Sequence, residues 1–215
     1  MQSVMIIKNV KVFTEDKTFE PGAIGIENGI FKNNLFDSGE IIDGEGCYAI
    51  PGLIDVHFHG CMGYDFCDGT KEAIEKIAEY EASQGVTTIV PATMTLSEEE
   101  LMKIMANGGT YENKEGAAVL AGINMEGPFI CSKKKGAQAA THIHKPDVAM
   151  FRRLQEAANG LIRLVDIAPE VEGAMEFISE LKDEVHISFA HTTADYDTAK
   201  TGYALGACHA THLYN

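Results

Sequence analysis

Pro51-Gly52-Leu53-Ile54-Asp55-Val56-His57-Phe58-His59-Gly60 divides the sequence into two textures. Upstream, Val4 to Val12 and Ala23 to Ile26 are short β-rich runs. Asn28-Gly29 carries a hairpin-turn signature, with Ile30 to Phe36 as the second arm. Ile41-Ile42 and Cys47 to Ile50 supply further short strands, and no helical period interrupts them. Downstream, six apolar runs alternate with helix-period segments: Leu53 to His59, Val86 to Ala92, Val119 to Met125, Leu161 to Ile167, His186 to Ala190 and Ala207 to Thr211. Between them, Ala174, Phe177, Ile178 and Leu181 share one helical face. Ser97 and Glu100 form a capping-box pattern ahead of Leu101 and Ile104. Gly85 and Gly160 mark helix ends, and Pro146 a helix start.

Strand–helix alternation predicts a parallel sheet with helices packed outside it. Six strands fall short of the eight in a (β/α)₈ barrel, which typically takes about 250 residues. Strand number alone therefore leaves an open doubly wound sheet as an alternative. The last strand runs into His212-Leu213-Tyr214-Asn215 with no helix after it, so a truncated chain is expected. Two domains follow: residues 1–50 as part of a small β module, and residues 51–215 as the N-terminal portion of an α/β domain.

Composition narrows the function. The chain has 215 residues, 45% of them hydrophobic, which is ample for a core. Its 17 Lys+Arg against 32 Asp+Glu give a net charge of −15. A chain this acidic repels phosphate backbones, which argues against nucleic acid. The five cysteines are odd in number and form no C-x-x-C pair, so they read as reduced thiols of a cytoplasmic protein. Lys8 and Lys11 interrupt the start before a signal-peptide core can form. No window reaches the roughly 18 apolar residues of a membrane span.

The strand ends carry the chemistry. His57 and His59, two residues apart at the end of an apolar strand, point to one side and can grip one divalent ion. In isolation they are also compatible with two surface histidines. The third run ends Asn124-Met125-Glu126-Gly127-Pro128, the fifth Ala190-His191-Thr192, and the sixth Ala210-Thr211-His212. Glu126 alone would read as a turn acid, and His191 alone as a hydrogen-bonded histidine at the core edge. Together, side chains far apart in sequence gather at one rim, as parallel barrels build their sites. Such a set can hold one or two divalent ions and lower the pKa of bound water to about 7, which is hydrolytic chemistry. Zinc and iron both suit imidazole and carboxylate ligands. His186 and His209 read as packing or supporting residues, and His142 and His144 as solvated. Cys61, Cys67 and Cys131 read as lining residues, their spacing being wrong for a closed thiolate site. Lys133 reads as solvated, while Lys134 and Lys135 stay open between that and attraction for an anionic substrate.

Pro51 to Gly60 resembles the opening motif of the amidohydrolase superfamily. Asn124-Met125-Glu126-Gly127-Pro128-Phe129, Lys134 to Gln138, Ala190-His191-Thr192 and Thr211-His212-Leu213-Tyr214-Asn215 resemble the N-acetylglucosamine-6-phosphate deacetylases within it. The resemblance implies a (β/α)₈ TIM-like metal-dependent hydrolase barrel, here incomplete with about six strands, plus part of a small β-sandwich domain. It implies Glu126, His191 and His212 as principal metal ligands, with His57 and His59 allowing a second metal. Asn215 would help to hold the sugar phosphate, and Ala137 and Gln138 belong to the loop over the sugar. Glu126 and Gln138 are then the catalytic candidates present. The family's general acid/base Asp, on the last barrel strand, has no counterpart before the chain ends, so the 215 residues alone are expected to be inactive. The implied reaction is deacetylation of N-acetylglucosamine 6-phosphate in the cytoplasm by a homodimer, with a small amino-sugar phosphate as partner and neither nucleic acid nor membrane. Two alternatives remain. One is another amidohydrolase acting on a cyclic imide, an acylamino acid or a nucleobase. The other is a non-catalytic fragment.

Overall fold

The computed structural model describes residues 4–32 and 38–214. Part of the expected second hairpin arm, residues 33–36, lies outside the described residues, as does Asn215. The chain forms two compact units, Met1–Gly52 and Leu53–Asn215.

The first unit is a single sheet of β1 (Val4–Phe13), β2 (Phe19–Glu27), β3 (Ile30–Lys32), β4 (Glu40–Asp43) and β5 (Tyr48–Ala49). Its order is β3-β2-β1-β4, with β5 also pairing β1. The β2–β3 turn has φ of 53° at Asn28 and 76° at Gly29. Both central residues thus adopt the left-handed form of a type I′ turn, whose twist matches the flanking strands. Ile6 and Val10 are its buried hydrophobics among the described residues. Phe13, Phe19 and Tyr48 pack together at 5.3 and 4.8 Å between ring centres.

The second unit opens with β6 (Leu53–Asp55), a small hairpin of β7 (Gly60–Cys61) and β8 (Tyr64–Asp65), and α1 (Lys71–Ser83). It continues through β9 (Val86–Ile89), α2 (Glu98–Gly109), β10 (Val119–Leu120), β11 (Ile123–Met125), α3 (Val148–Ala157), β12 (Ile162–Ile167), α4 (Ala174–Leu181), β13 (His186–Phe189), α5 (Tyr196–Leu205) and β14 (His209–Ala210). Strands pair in the orders β10-β9-β6 and β11-β12-β13-β14, every pair in both runs being parallel. A parallel bridge between Ala92 and Asn124 links the two runs. All six expected strands are present, the third split at Ala121-Gly122. A Cβ on Gly122 would lie 2.5 Å from Arg163 Cγ, so the chain passes too close to β12 for a side chain there.

The helices form for the expected reasons. Ala174, Phe177, Ile178 and Leu181 of α4 are all buried. Ser97 and Glu100 close the capping box of α2. One detail differs: the Asp147 side chain caps α3 by accepting from the Met150 N–H, and Pro146 lies just before that cap. The first strand of this unit also stops early. The Asp55 carboxylate accepts from the His57 N–H at 3.0 Å and ends the ladder after three residues. The Phe58 carbonyl still accepts from the Ala92 N–H, which ties this segment to the chain that follows β9. Leu53, Ile54 and Val56 are exposed rather than buried, because β6 has no further strand on its outer edge among the described residues. No helix among the described residues is long and apolar enough to cross a membrane.

Candidate metal centre

Glu126 follows the last residue of β11 and is buried. Gly127, at φ 75°, turns the chain immediately after it, and a Cβ there would fall 2.0 Å from Thr95 Oγ1. Only glycine fits that approach. Four imidazoles converge on this carboxylate from three other strand ends. His191 and His212 each place Nε2 2.8 Å from Glu126 Oε1. His59 Nε2 lies 3.1 Å and His57 Nε2 3.8 Å from Oε2. The ligand atoms of His57, Glu126 and His212 lie within 4.8 Å of one another. His191 and His212 hold φ of 47° and 53°, left-handed values that non-glycine residues adopt only when their surroundings impose them. These turns fold both rings back from the strand ends toward Glu126.

Backbone carbonyls orient two of the rings. His191 Nδ1 donates to Lys134 O at 2.8 Å, and His59 Nδ1 donates to Ala92 O at 3.3 Å. Each contact fixes the hydrogen on Nδ1 and reserves Nε2 for the centre. His57 is held differently, its Nδ1 lying 2.8 Å from the Asn124 amide nitrogen.

The electrostatics follow from this crowding. Burial opposes ionisation of Glu126, but hydrogen bonds from His191, His59 and His212, with the His57 charge, outweigh it and hold the carboxyl well below the usual range. Hydrogen bonding to Glu126 raises His191 and His59 above an ordinary histidine. Burial lowers His57. Asp166, on β12 beneath the site, is fully buried. Burial pushes its pKa up to about 8, despite the hydrogen bond that it accepts from Thr211.

The donor set suits a divalent cation. Imidazole nitrogen and carboxylate oxygen are the ligands such ions take, and they face a common point. His57 Nε2 is buried without a hydrogen-bond partner, and Glu126 Oε2 is buried with the His59 ring at 3.1 Å beside it. Atoms so placed are costly unless something else satisfies them. An open cleft of about 460 Å³ beside His191 and His212 is lined in part by Lys134, Thr192 and Leu213.

The amidohydrolase family matches residues 48–215. The chain belongs to the amidohydrolase family. It is 32% identical over 226 residues to an N-acetylglucosamine-6-phosphate deacetylase of Bacillus subtilis (strain 168), covering 100% of this chain and 57% of that protein. A variant N-acetyl-D-glucosamine-6-phosphate deacetylase of Mycobacterium smegmatis, solved with N-acetyl-D-glucosamine-6-phosphate, superposes with a TM-score of 0.85 at 25% identity. That match covers 100% of this chain and 56% of the other. The deacetylase of Pasteurella multocida gives a TM-score of 0.88 at 24% identity, over 99% and 57% of the two chains, and shares the fold. The parallel βα units are thus part of a TIM-type amidohydrolase barrel, a fold whose sites use a divalent metal. The chain spans a little over half the length of these relatives.

The five residues singled out from sequence as ligands come together. The loop residues do not all join them. Ala137 is exposed. Gln138 is buried, with Oε1 accepting from the Thr95 N–H at 2.6 Å and Nε2 lying 3.7 Å from Met94 Sδ. Its amide is occupied within the protein in this conformation. Lys135 Nζ donates to the Gly136 and Gln138 carbonyls, while Lys134 is exposed along the cleft. Burial drives the Cys67 thiol up to about 12, a value that keeps it protonated and unreactive at neutral pH. His209 and Ser188 lie within hydrogen-bond distance at 3.0 Å, as do Ser188 and Thr211 at 2.7 Å. Asn124 and Asp166 escaped the sequence reading. Their signal is a polar residue at an inward-facing position of an otherwise apolar strand, as in Leu164-Val165-Asp166-Ile167-Ala168.

Proposed function

We propose that this chain supplies the metal-binding part of a deacetylase that hydrolyses N-acetylglucosamine 6-phosphate to glucosamine 6-phosphate and acetate. The observation that carries the reading is the convergence of His57, His59, His191 and His212 on the buried Glu126 carboxylate, in a chain similar over its length to such enzymes. Glu126, His191 and His212 would hold one ion, and His57 and His59 a second, zinc or iron. A bound divalent ion there lowers the pKa of water and polarises the amide carbonyl.

The chain's own groups prepare the site. The carbonyls of Lys134 and Ala92 keep two imidazoles in the tautomer that offers Nε2 to a cation. Glu126 supplies the negative charge that balances it. Lys134, exposed on the cleft of an otherwise acidic protein, gives local attraction for a phosphate. Asn215, Ala137 and Gln138 are proposed sugar-binding positions, and Gln138 would have to release Thr95 to reach a substrate. The reading also carries a cytoplasmic homodimer.

The test is acetate release by the protein translated from the complete gene, with N-acetylglucosamine 6-phosphate and N-acetylglucosamine compared at equal concentration. A marked preference for the phosphorylated sugar is expected. Equal rates on both would overturn the substrate assignment and favour another amidohydrolase reaction.

A further inference from the structure

His191 reaches Glu126 because the chain turns back on itself just past the end of β13. Its φ of 47° is left-handed, a conformation that a residue with a β-carbon adopts at a cost. The Ala190 N–H still donates to the Ile167 carbonyl, so the bonding with β12 continues up to the residue before His191. Beyond His191 the chain has left the sheet, and the sheet no longer fixes its direction.

Glu170 takes over from the neighbouring strand. It follows β12 by way of Ala168 and Pro169, both buried, and the Ala168 N–H is tied to the Phe129 carbonyl at 3.0 Å. The carboxylate therefore stands on a fixed stem. Its Oε1 accepts from the Thr193 N–H at 2.6 Å and from Thr193 Oγ1 at 2.9 Å. Its Oε2 accepts from Thr192 Oγ1 at 2.5 Å. Thr192 Oγ1 accepts in turn from the Ala194 N–H at 2.9 Å, which closes the turn leading into α5. On the other side, the Cys131 N–H donates to the His191 carbonyl at 3.1 Å, and the ring Nδ1 donates to the Lys134 carbonyl. The two holds act on different parts of His191. Residues 131–134 orient its ring and carbonyl, and Glu170 fixes the backbone that follows it.

We propose that Glu170 is a positioning residue of the metal centre: by gripping Thr192 and Thr193 it holds the left-handed turn that aims His191 at an ion shared with Glu126 and His212. This rests on the metal reading above and adds a residue from outside the ligand set. The grip is geometric. It needs an acceptor facing Thr193 and a polar partner facing Thr192, and a glutamine supplies both, its oxygen toward Thr193 and its amide toward Thr192 Oγ1. An alanine supplies neither.

The experiment uses the protein translated from the complete gene, zinc titration against a competing chelator, and denaturant unfolding of each variant. Folded Glu170→Ala should bind zinc more weakly by about 10-fold, the lower end of the loss on removing a group that supports a ligand. Glu170→Gln should recover most of that affinity, although losing the charge lowers its stability. A brace that serves only the fold would move the stability of both variants and leave zinc affinity where it was. Should Glu170→Ala fail to fold, Thr192→Val removes one contact and should weaken zinc binding by about 2–5-fold, the worth of one hydrogen bond. Parental affinity in folded Glu170→Ala or, failing that variant, in Thr192→Val would overturn the proposal and leave the metal reading intact. So would a Glu170→Gln protein that binds zinc as weakly as Glu170→Ala. A parent that binds no zinc would overturn both.

Discussion

The β unit of residues 4–52 and the α/β unit of residues 53–214 are stabilised in different ways. The first is one sheet in which, among the described residues, Ile6 and Val10 are buried while Ile30, Phe31 and Ile41 are exposed. The second layers helices on a parallel sheet and buries Phe66, Phe129, Phe151 and Phe177 together with most of its apolar helix faces. A sheet covered by helices can enclose large side chains, whereas an uncovered sheet leaves half of each strand in solvent. The candidate centre lies entirely on the covered unit. There the strand ends are fixed by packing, and rings can be held in left-handed turns and aimed at a buried carboxylate. A thin sheet would not hold them.

Three substitutions sharpen that contrast. The largest expected effect is in the helix-covered core. Phe177 stacks against Phe129 and Phe151 at 5.2 and 6.0 Å between ring centres. Phe177→Ala should destabilise the protein by about 3–5 kcal/mol in denaturant unfolding. In the β unit, Ile6→Ala should lose about 2 kcal/mol, near the lower end for such changes, because a thin layer can collapse into the space. Hydrogen exchange should show that loss across β1 and β2. Equal losses at the two sites would break the comparison.

The smallest effect lies in the loop after His191. Glu170 accepts hydrogen bonds from Thr192 Oγ1 at 2.5 Å and from the Thr193 N–H at 2.6 Å. Burial pushes its pKa up, but these bonds prevail and hold it below the usual glutamate value of 4.5. A carboxylate depressed in the folded state adds stability above its unfolded pKa, and that share is lost as the pH falls through the folded value. Glu170→Gln should therefore lower stability by about 1 kcal/mol at pH 7. The difference from the parent should shrink below pH 4.5. A difference constant from pH 7 to pH 3 would show that Glu170 braces nothing through its charge.

Much of this was legible in the sequence because it is written in local patterns. Asn28-Gly29 announces its hairpin, Ser97 and Glu100 their helix start, and the spacing of Ala174 to Leu181 the buried face of α4. The five ligand candidates were legible because histidine and glutamate at the ends of apolar runs have few ordinary uses. What stayed hidden depends on contacts between distant segments. Asp166 looks like one acid among many until β13 and β14 enclose it. Gln138 looks like a loop amide until Thr95, 43 residues earlier, binds it. The exposure of Ile54 likewise depends on which strands lie beside β6, and an apolar run does not encode its neighbours.

We assign His57, His59, Glu126, His191 and His212 as the residues that hold a divalent metal, and the bound ion itself can check that assignment. Metal content measured by mass spectrometry, on parent and Glu126→Ala protein purified identically and dialysed against trace zinc and iron, tests it most directly. The parent should retain about one or two ions per chain, and the Glu126→Ala protein, whose affinity should fall by more than the roughly 100-fold typical of a supporting residue, should retain close to none. A parent without bound metal, or a Glu126→Ala protein with the parental content, would show that these residues do not form a metal site.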